Sequence, residues 1–186
     1  MTNSIQAGLV VTYAIDHADK LVNVNEEWTR FAQENEGGTR LHPESVIGQS
    51  LWTYVREDTL QHLYQQLVET VRRSREQVNF DFRCDSPRFR RHMHMTMTPR
   101  EDNHVQFTSV TTRIETRNDG LRAAAAFTGV THVTRCSICN LYKLSDGRWS
   151  EVAAALDQDG LLNSNQRPRL IWGVCNPCKE RLAATT

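Results

Sequence analysis

The sequence has no long apolar run. Its hydrophobic stretches end far short of the roughly 20 residues that span a bilayer, and its first residues, Met1 to Gly8, lack a basic leader segment. A soluble, cytoplasmic chain with no membrane partner is the expectation. It has no excess of charge either: 22 Lys plus Arg balance 22 Asp plus Glu over 186 residues. No long-range field therefore draws the whole chain to nucleic acid or acidic lipid. Internal repeats are missing, and so is low-complexity sequence beyond Ala123 to Ala126. Motifs of catalysis are missing too. There is no Gly-x-Ser-x-Gly, no phosphate-binding glycine loop, no His-Glu-x-x-His and no phospho-acceptor histidine with kinase motifs. The expectation is a protein that acts by binding and is not an enzyme.

Cysteine is scarce, but its placement is informative. Four of the five form two hooks, Cys136-Ser-Ile-Cys139 and Cys175-Asn-Pro-Cys178, with 35 residues between them. Each hook can turn two thiolates onto one metal at about 2.3 Å, which is what a tetrahedral zinc ion requires. Four-cysteine templates have roughly 15 to 20 residues between hooks. Doubling such a loop costs only about 0.6 kcal/mol, against an apparent zinc affinity on the order of 10 kcal/mol. A disulfide framework, a redox dithiol and another thiophilic metal remain as alternatives. Four thiolates leave no open position for water, so the zinc is expected to be structural. His132, four residues before Cys136, could replace a ligand or sit on the surface.

Hydropathy period divides the rest. Leu9, Val11 and Tyr13, a polar turn Asp16 to Lys20, and Leu21 to Val24 read as a hairpin. Asn25 can cap a short helix with Glu26 and Glu27 in its first turn and Trp28, Phe31 and Ala32 inward. Gly37-Gly38 stops it, and residues 39 to 56 read as loops with one or two helical turns. Asp58 as N-cap with Gln61 at N3 opens a longer helix whose stripe is Leu60, Leu63, Tyr64, Leu67 and Val71. The period then becomes two. Val78, Phe80 and Phe82, then Met93, Met95 and Met97, then Val105, Phe107 and Ser109 alternate with polar neighbours. Three such strands predict an antiparallel meander covered on one side by helices. Cys84 to Phe89 and Pro99 to Asn103 are its turns, with Asp16 and Asp85 read as turn residues.

Beyond Arg117, Asn118-Asp-Gly120 and the alanine tract read as a linker. Between the hooks, Asp146-Gly147 is a turn and Trp149, Val152, Ala153 and Leu156 mark a helix ended by Gly160. Leu170 to Val174 read as a strand and Lys179 to Ala184 as a helix aiming amides at Cys175 and Cys178. Asn140 tolerates the left-handed conformation that such a knuckle needs.

The order of elements, with Asn23 to Ala32, Val46 to Trp52 and the hairpin Phe82 to Pro99, resembles a PAS sensor domain. The cysteine pattern, with Gly147-x-Trp149 and Gly173-Val-Cys175-x-Pro177-Cys178, resembles a module at the ends of some bacterial PAS and response-regulator proteins. That module often has an aromatic residue and a histidine where this chain has Ile138 and Trp172. The resemblance implies an α+β fold: a five-stranded antiparallel sheet with helices on one face over residues 1–117, a linker 118–134, and a zinc module 135–186.

It also implies a ligand pocket between helices and sheet, lined by Trp28, Phe31, Phe80, Phe82, Met93, Met95, Met97 and Phe107; the same side chains read equally as plain core. Heme and flavin are cofactors of that family. Cys84 lies in a turn, away from any flavin-adduct helix, and His62 falls beside the apolar stripe of the long helix, which places it at the surface. The organic ligand stays unknown.

His92 and His94 share one strand face, with His94 expected opposite residue 108 and His104 too distant to complete a metal site. Arg72, Arg73, Arg75, Arg83, Arg88, Arg90, Arg91 and Arg100 exceed Glu76, Asp81 and Asp85 by five charges. That patch could meet an acidic partner protein or nucleic acid. From Thr131 onward seven Lys or Arg and five Asp or Glu, with four thiolates and one zinc, sum to zero. This neutrality favours a protein partner, and a homodimer, over nucleic acid. The expected function is therefore a bacterial signalling or regulatory protein with a PAS-like sensing or interaction domain. The alternative is a nucleic-acid-binding regulator using the Arg-rich 72–100 surface and the zinc module.

Overall fold

The computed structural model describes residues 8–34, 38–86, 88–117, 132–158 and 169–185. The expected linker helix, Gly37 and Gly160 lie outside them. Strands β1 (Val10–Ile15) and β2 (Leu21–Val24) form the first hairpin. Helices α1 (Glu26–Glu34), α2 (Pro43–Val46) and α3 (Asp58–Ser74) follow, with short 3-10 turns at Thr39–Leu41 and Leu51–Thr53. Strands β3 (Val78–Arg83), β4 (Phe89–Pro99) and β5 (Val105–Thr116) complete an antiparallel sheet in the order β2-β1-β5-β4-β3. The fold is α+β, with helices on one face of this five-stranded antiparallel sheet. No described helix is long and apolar enough to cross a membrane.

Local chemistry explains the elements. Asp16 Oδ1 accepts the amides of Ala18 (2.8 Å) and Lys20 (2.9 Å), closing the β1–β2 turn. Those amides hold its carboxyl below the usual range. Asn25 caps α1 by accepting the Trp28 amide at 3.1 Å, and it also takes the Thr12 amide at 3.0 Å. The α3 cap lies one residue ahead of the expected Asp58. Glu57 accepts the amides of Thr59 (3.0 Å) and Leu60 (2.7 Å), because its longer side chain reaches two orphan donors at once. Tyr64, Leu67, Val68 and Val71 of α3 are buried against Val78, Phe80, Met95, Met97, Val105 and Phe107.

On β4 the inward file is Arg91, Met93, Met95 and Met97, and the outward file carries His92 and His94. A bulge between His92 and Met93 lies in the β4–β5 ladder. His94 faces Val110 and not residue 108, since the ladder begins at Pro99↔Val105 and Thr96 takes Thr108. His94 Nδ1 lies 2.7 Å from Asp81, and His92 lies beside Glu115. The described residues bring no third ligand to these histidines.

The C-terminal residues form a second sheet in the order β8-β7-β6-β9. Its strands are β6 (His132–Cys136), β7 (Tyr142–Lys143), β8 (Trp149–Ser150) and β9 (Arg169–Gly173). It includes His132 to Thr134, which the sequence reading placed in the linker. Trp149, expected on the helix, pairs with Lys143 in the sheet, and α4 (Val152–Gln158) starts after it. Ala155, not Ala153, joins Val133, Tyr142, Leu144, Val152 and Leu156 in a small core. Helix α5 (Asn176–Ala183) closes the chain and starts earlier than expected, because Pro177 suits a first helical turn.

Candidate metal centre and adjoining cavity

A parallel pairing solves the problem of the long spacer. β6 runs beside β9 in the register His132↔Arg169 to Cys136↔Gly173, which sets the end of the first arm against the start of the second hook. A Cβ at Gly173 would sit 3.2 Å from Thr134 Cγ2, a tight contact to which the threonine would have to give by a few tenths of an ångström. The Ser137 amide donates to Gly173 O at 2.8 Å and locks the hooks together. In the first hook the Asn140 amide donates to Cys136 O at 3.0 Å with Asn140 at φ 60°, the left-handed turn expected there. In the second, Cys175 is the N-cap of α5.

The result is a tetrathiolate cage. The sulfurs of Cys136, Cys139, Cys175 and Cys178 all lie within 4.8 Å of one another, and Cys139 Sγ to Cys175 Sγ is 3.7 Å. Thiolates at about 2.3 Å from a tetrahedral ion are about 3.8 Å apart. All four cysteines are free of disulfides. The Cys175 amide donates to Cys136 Sγ at 3.4 Å, and Arg181 approaches Cys178 Sγ at 3.6 Å, both suited to a negative sulfur. Left to themselves the sulfurs share charge unevenly. Thiol hydrogen bonds from Cys139 and Cys178 hold Cys136 far below the ordinary thiol range, while the same bonds push Cys139 up to about 12 and raise Cys178 further. A central cation lets all four ionise, so the residues fit a structural metal ion. Exposed His132 lies at the far end of β6, four residues from Cys136.

This cage is fixed to the five-stranded sheet. β3 is an edge strand, and its outward backbone groups meet the C-terminal module. The Arg83 amide donates to Ile138 O (2.7 Å), Asn140 Nδ2 donates to Arg83 O (2.6 Å), and Arg181 donates to Asp81 O (3.1 Å). An edge that would otherwise invite strand pairing is thereby covered. Cys136, Ile138, Val174, Cys175, Cys178 and Leu182 belong to the same apolar cluster as Phe80 and Phe107.

A buried ion network lies alongside. Asp85 has 1% of its side chain exposed and meets Arg83, Arg117 (3.3 Å) and Arg135 (3.8 Å). Glu151 of the C-terminal module pairs with Arg83 and Arg90, both at 2.8 Å. Burial works against the Arg83 charge, but Asp85 and Glu151 outweigh it and raise its pKa; Arg135 is lowered by burial. Sequence reasoning took Asp85 for a turn residue and missed this role, because its partners come from three separate places in the chain: β3, the end of β5 and β6.

The same geometry thins the Arg-rich surface of the nucleic-acid alternative. Arg91 is only 4% exposed and lies over the rings of Phe31 and Phe89, and Arg90 is committed to Glu115 and Glu151. Arg73, Arg75, Arg88 and Arg100 are exposed.

Between α1, the loops after it, the sheet and the C-terminal module lies a cavity of about 580 Å³. Five of the eight residues named from sequence line it: Trp28, Phe31, Phe82, Met93 and Met95. Phe80, Met97 and Phe107 instead lie in packed core, Phe107 stacked on Tyr13 at 4.6 Å. Sequence reasoning missed Tyr13, Tyr64, Ser109, Ser137 and Trp172 on the wall. Burial raises the pKa of both tyrosines, which keeps them neutral, and it pushes the Cys84 thiol up as well. Ser109 is the one signal that was available: a polar residue at an inward position of β5. It is 5% exposed and its hydroxyl has no hydrogen-bond partner among the described residues, a condition that costs roughly 1–3 kcal/mol. His62 is exposed on α3 and does not line the cavity.

No family model matches the chain, and no curated protein matches it. Solved structures do. A domain of an HTR-like protein from Haloarcula marismortui superposes with TM-score 0.41 at 15% identity, covering 56% of this chain and 98% of that one. The photoactive yellow protein domain of the sensor histidine kinase Ppr from Rhodospirillum centenum gives TM-score 0.42 at 16% identity, covering 59% and 98%.

Proposed function

We propose that the chain is a regulatory module of signal transduction in a reducing, cytoplasm-like compartment. A PAS-like sensor is fused to a structural zinc site, and it acts by binding, not by catalysis. The carrying observation is that the metal-cage residues and the sensor core form one continuous apolar cluster. Interiors packed at crystal-like density transmit displacement, so a change among α1, α3 and the inner sheet face reaches the module on β3. That module then presents the change to a protein partner, with a homodimer as the working assembly. The zinc holds the hooks and does no chemistry, since four thiolates complete its coordination. Arg91 and Arg90, turned inward or paired, weaken the competing nucleic-acid reading.

Native mass spectrometry of freshly purified protein tests this reading. One zinc per chain in a dimeric mass supports it; a metal-free folded chain would refute the module, and a monomer at micromolar concentration would refute the assembly.

A further inference from the structure

We infer that the cavity binds a small amphiphilic anion, an aromatic or otherwise apolar body carrying a carboxylate, and that the metal-held module supplies one wall of its site. This rests on the sensor reading above and names the occupant's chemistry. The body follows from the lining. Tyr13, Trp28, Phe31, Tyr54, Tyr64 and Phe82 offer ring faces and edges in a volume of about 580 Å³, ample for a small planar molecule.

The charge follows from three polar groups and how each is occupied. Arg40 and Arg56 line the cavity and are exposed, so they stand where it opens. Among the described residues neither makes an ion pair. Glu57, the acidic residue on the described wall, has its carboxylate oxygens committed to the amides of Thr59 and Leu60 at the start of α3. Two guanidinium groups thus face the opening with no carboxylate to answer them, and a ligand carboxylate matches their planar donor fork. Deeper in, the partnerless hydroxyl of buried Ser109 is a hydrogen-bond position for a polar atom on the ligand body.

The wall from the C-terminal module is Ser137, inside the first hook, and Trp172, next to the Gly173 that abuts Cys136. Trp172 is 48% exposed, large for a tryptophan held in place by Arg135 at 5.0 Å, and an occupant of the cavity would cover part of it.

The test titrates the zinc-loaded full chain by calorimetry with three isosteric probes: naphthylacetate, naphthylethanol and naphthylethylamine. The acid is expected to bind about tenfold tighter than the alcohol, and the amine more weakly than either. The Arg40→Gln/Arg56→Gln double variant, two surface changes whose fold is verified by thermal melting, is expected to erase the acid's advantage and leave the alcohol's affinity unchanged. Trp172→Ala is expected to weaken all three probes alike, since it removes wall and not charge. Equal binding of the three, preference for the amine, or no binding overturns the anion assignment; an unchanged Trp172→Ala profile overturns the shared wall. Zinc stoichiometry, read separately on the same samples, tells a wrong ligand class from a wrong module.

Discussion

Asn140 joins the metal knuckle to the edge strand β3 of the five-stranded sheet, so its replacement measures the docking. Its amide donates to Arg83 O at 2.6 Å, it is buried, and its backbone sits at φ 60°. Asn140→Ala strands a buried carbonyl, worth about 2 kcal/mol. It also removes the short polar side chain that lets asparagine tolerate the left-handed region, worth about 1 kcal/mol more. The sum is about 3 kcal/mol. Asn140→Gly removes the same hydrogen bond but not the backbone comfort, so its loss is about 2 kcal/mol, with Ala the worse of the two. Urea unfolding followed by tryptophan fluorescence, at a fixed excess of zinc, reads both values. A loss below about 0.5 kcal/mol in both variants would refute the reasoning, because the bond to Arg83 would then not hold the module to the sheet.

Three further outcomes follow from the same geometry. Asp85→Ala leaves the guanidinium groups of Arg83, Arg117 and Arg135 without their shared buried carboxylate and is expected to cost about 3–5 kcal/mol in the same assay; a loss under about 1 kcal/mol would contradict the network. Cys175→Ser is expected to abolish stoichiometric zinc in elemental analysis while Cys84→Ser keeps it, since Cys84 lies outside the four-sulfur cluster. Metal ligation needs deprotonated thiolates, so chelator-monitored zinc release is expected to increase as pH falls and to be suppressed as pH rises; loading indifferent to acid would argue against thiolate ligands.

The five-stranded sheet was legible because its signals are local. The shift from period 3.6 at Leu60–Val71 to period 2 at Val78, Met93 and Val105 marks one long helix and three strands without any tertiary knowledge. The four cysteines were legible for the same reason, since hook spacing is a covalent property. What stayed hidden depends on meetings across the fold. Nothing near Asp85 in sequence announces Arg135, and nothing near Ser137 announces a cavity wall shared with Tyr13. Phe80, Met97 and Phe107 read from sequence as pocket wall or plain core alike, because strand alternation gives the face of a residue and not its depth along the strand; they lie in the core with α3. Trp149 reads as helical because its spacing of three to Val152 fits the helical period, whereas its pairing with Lys143 puts it in the sheet.

The central claim is that a metal ion holds the C-terminal module as a body against the β3 edge. Amide hydrogen exchange at Arg83, whose N–H donates to Ile138 O across that junction, tests it most directly when measured with bound zinc and again after chelation. The account predicts slow exchange with zinc and fast exchange without it, while amides in the β4–β5 ladder keep their protection. Equal exchange at Arg83 in the two states would contradict it.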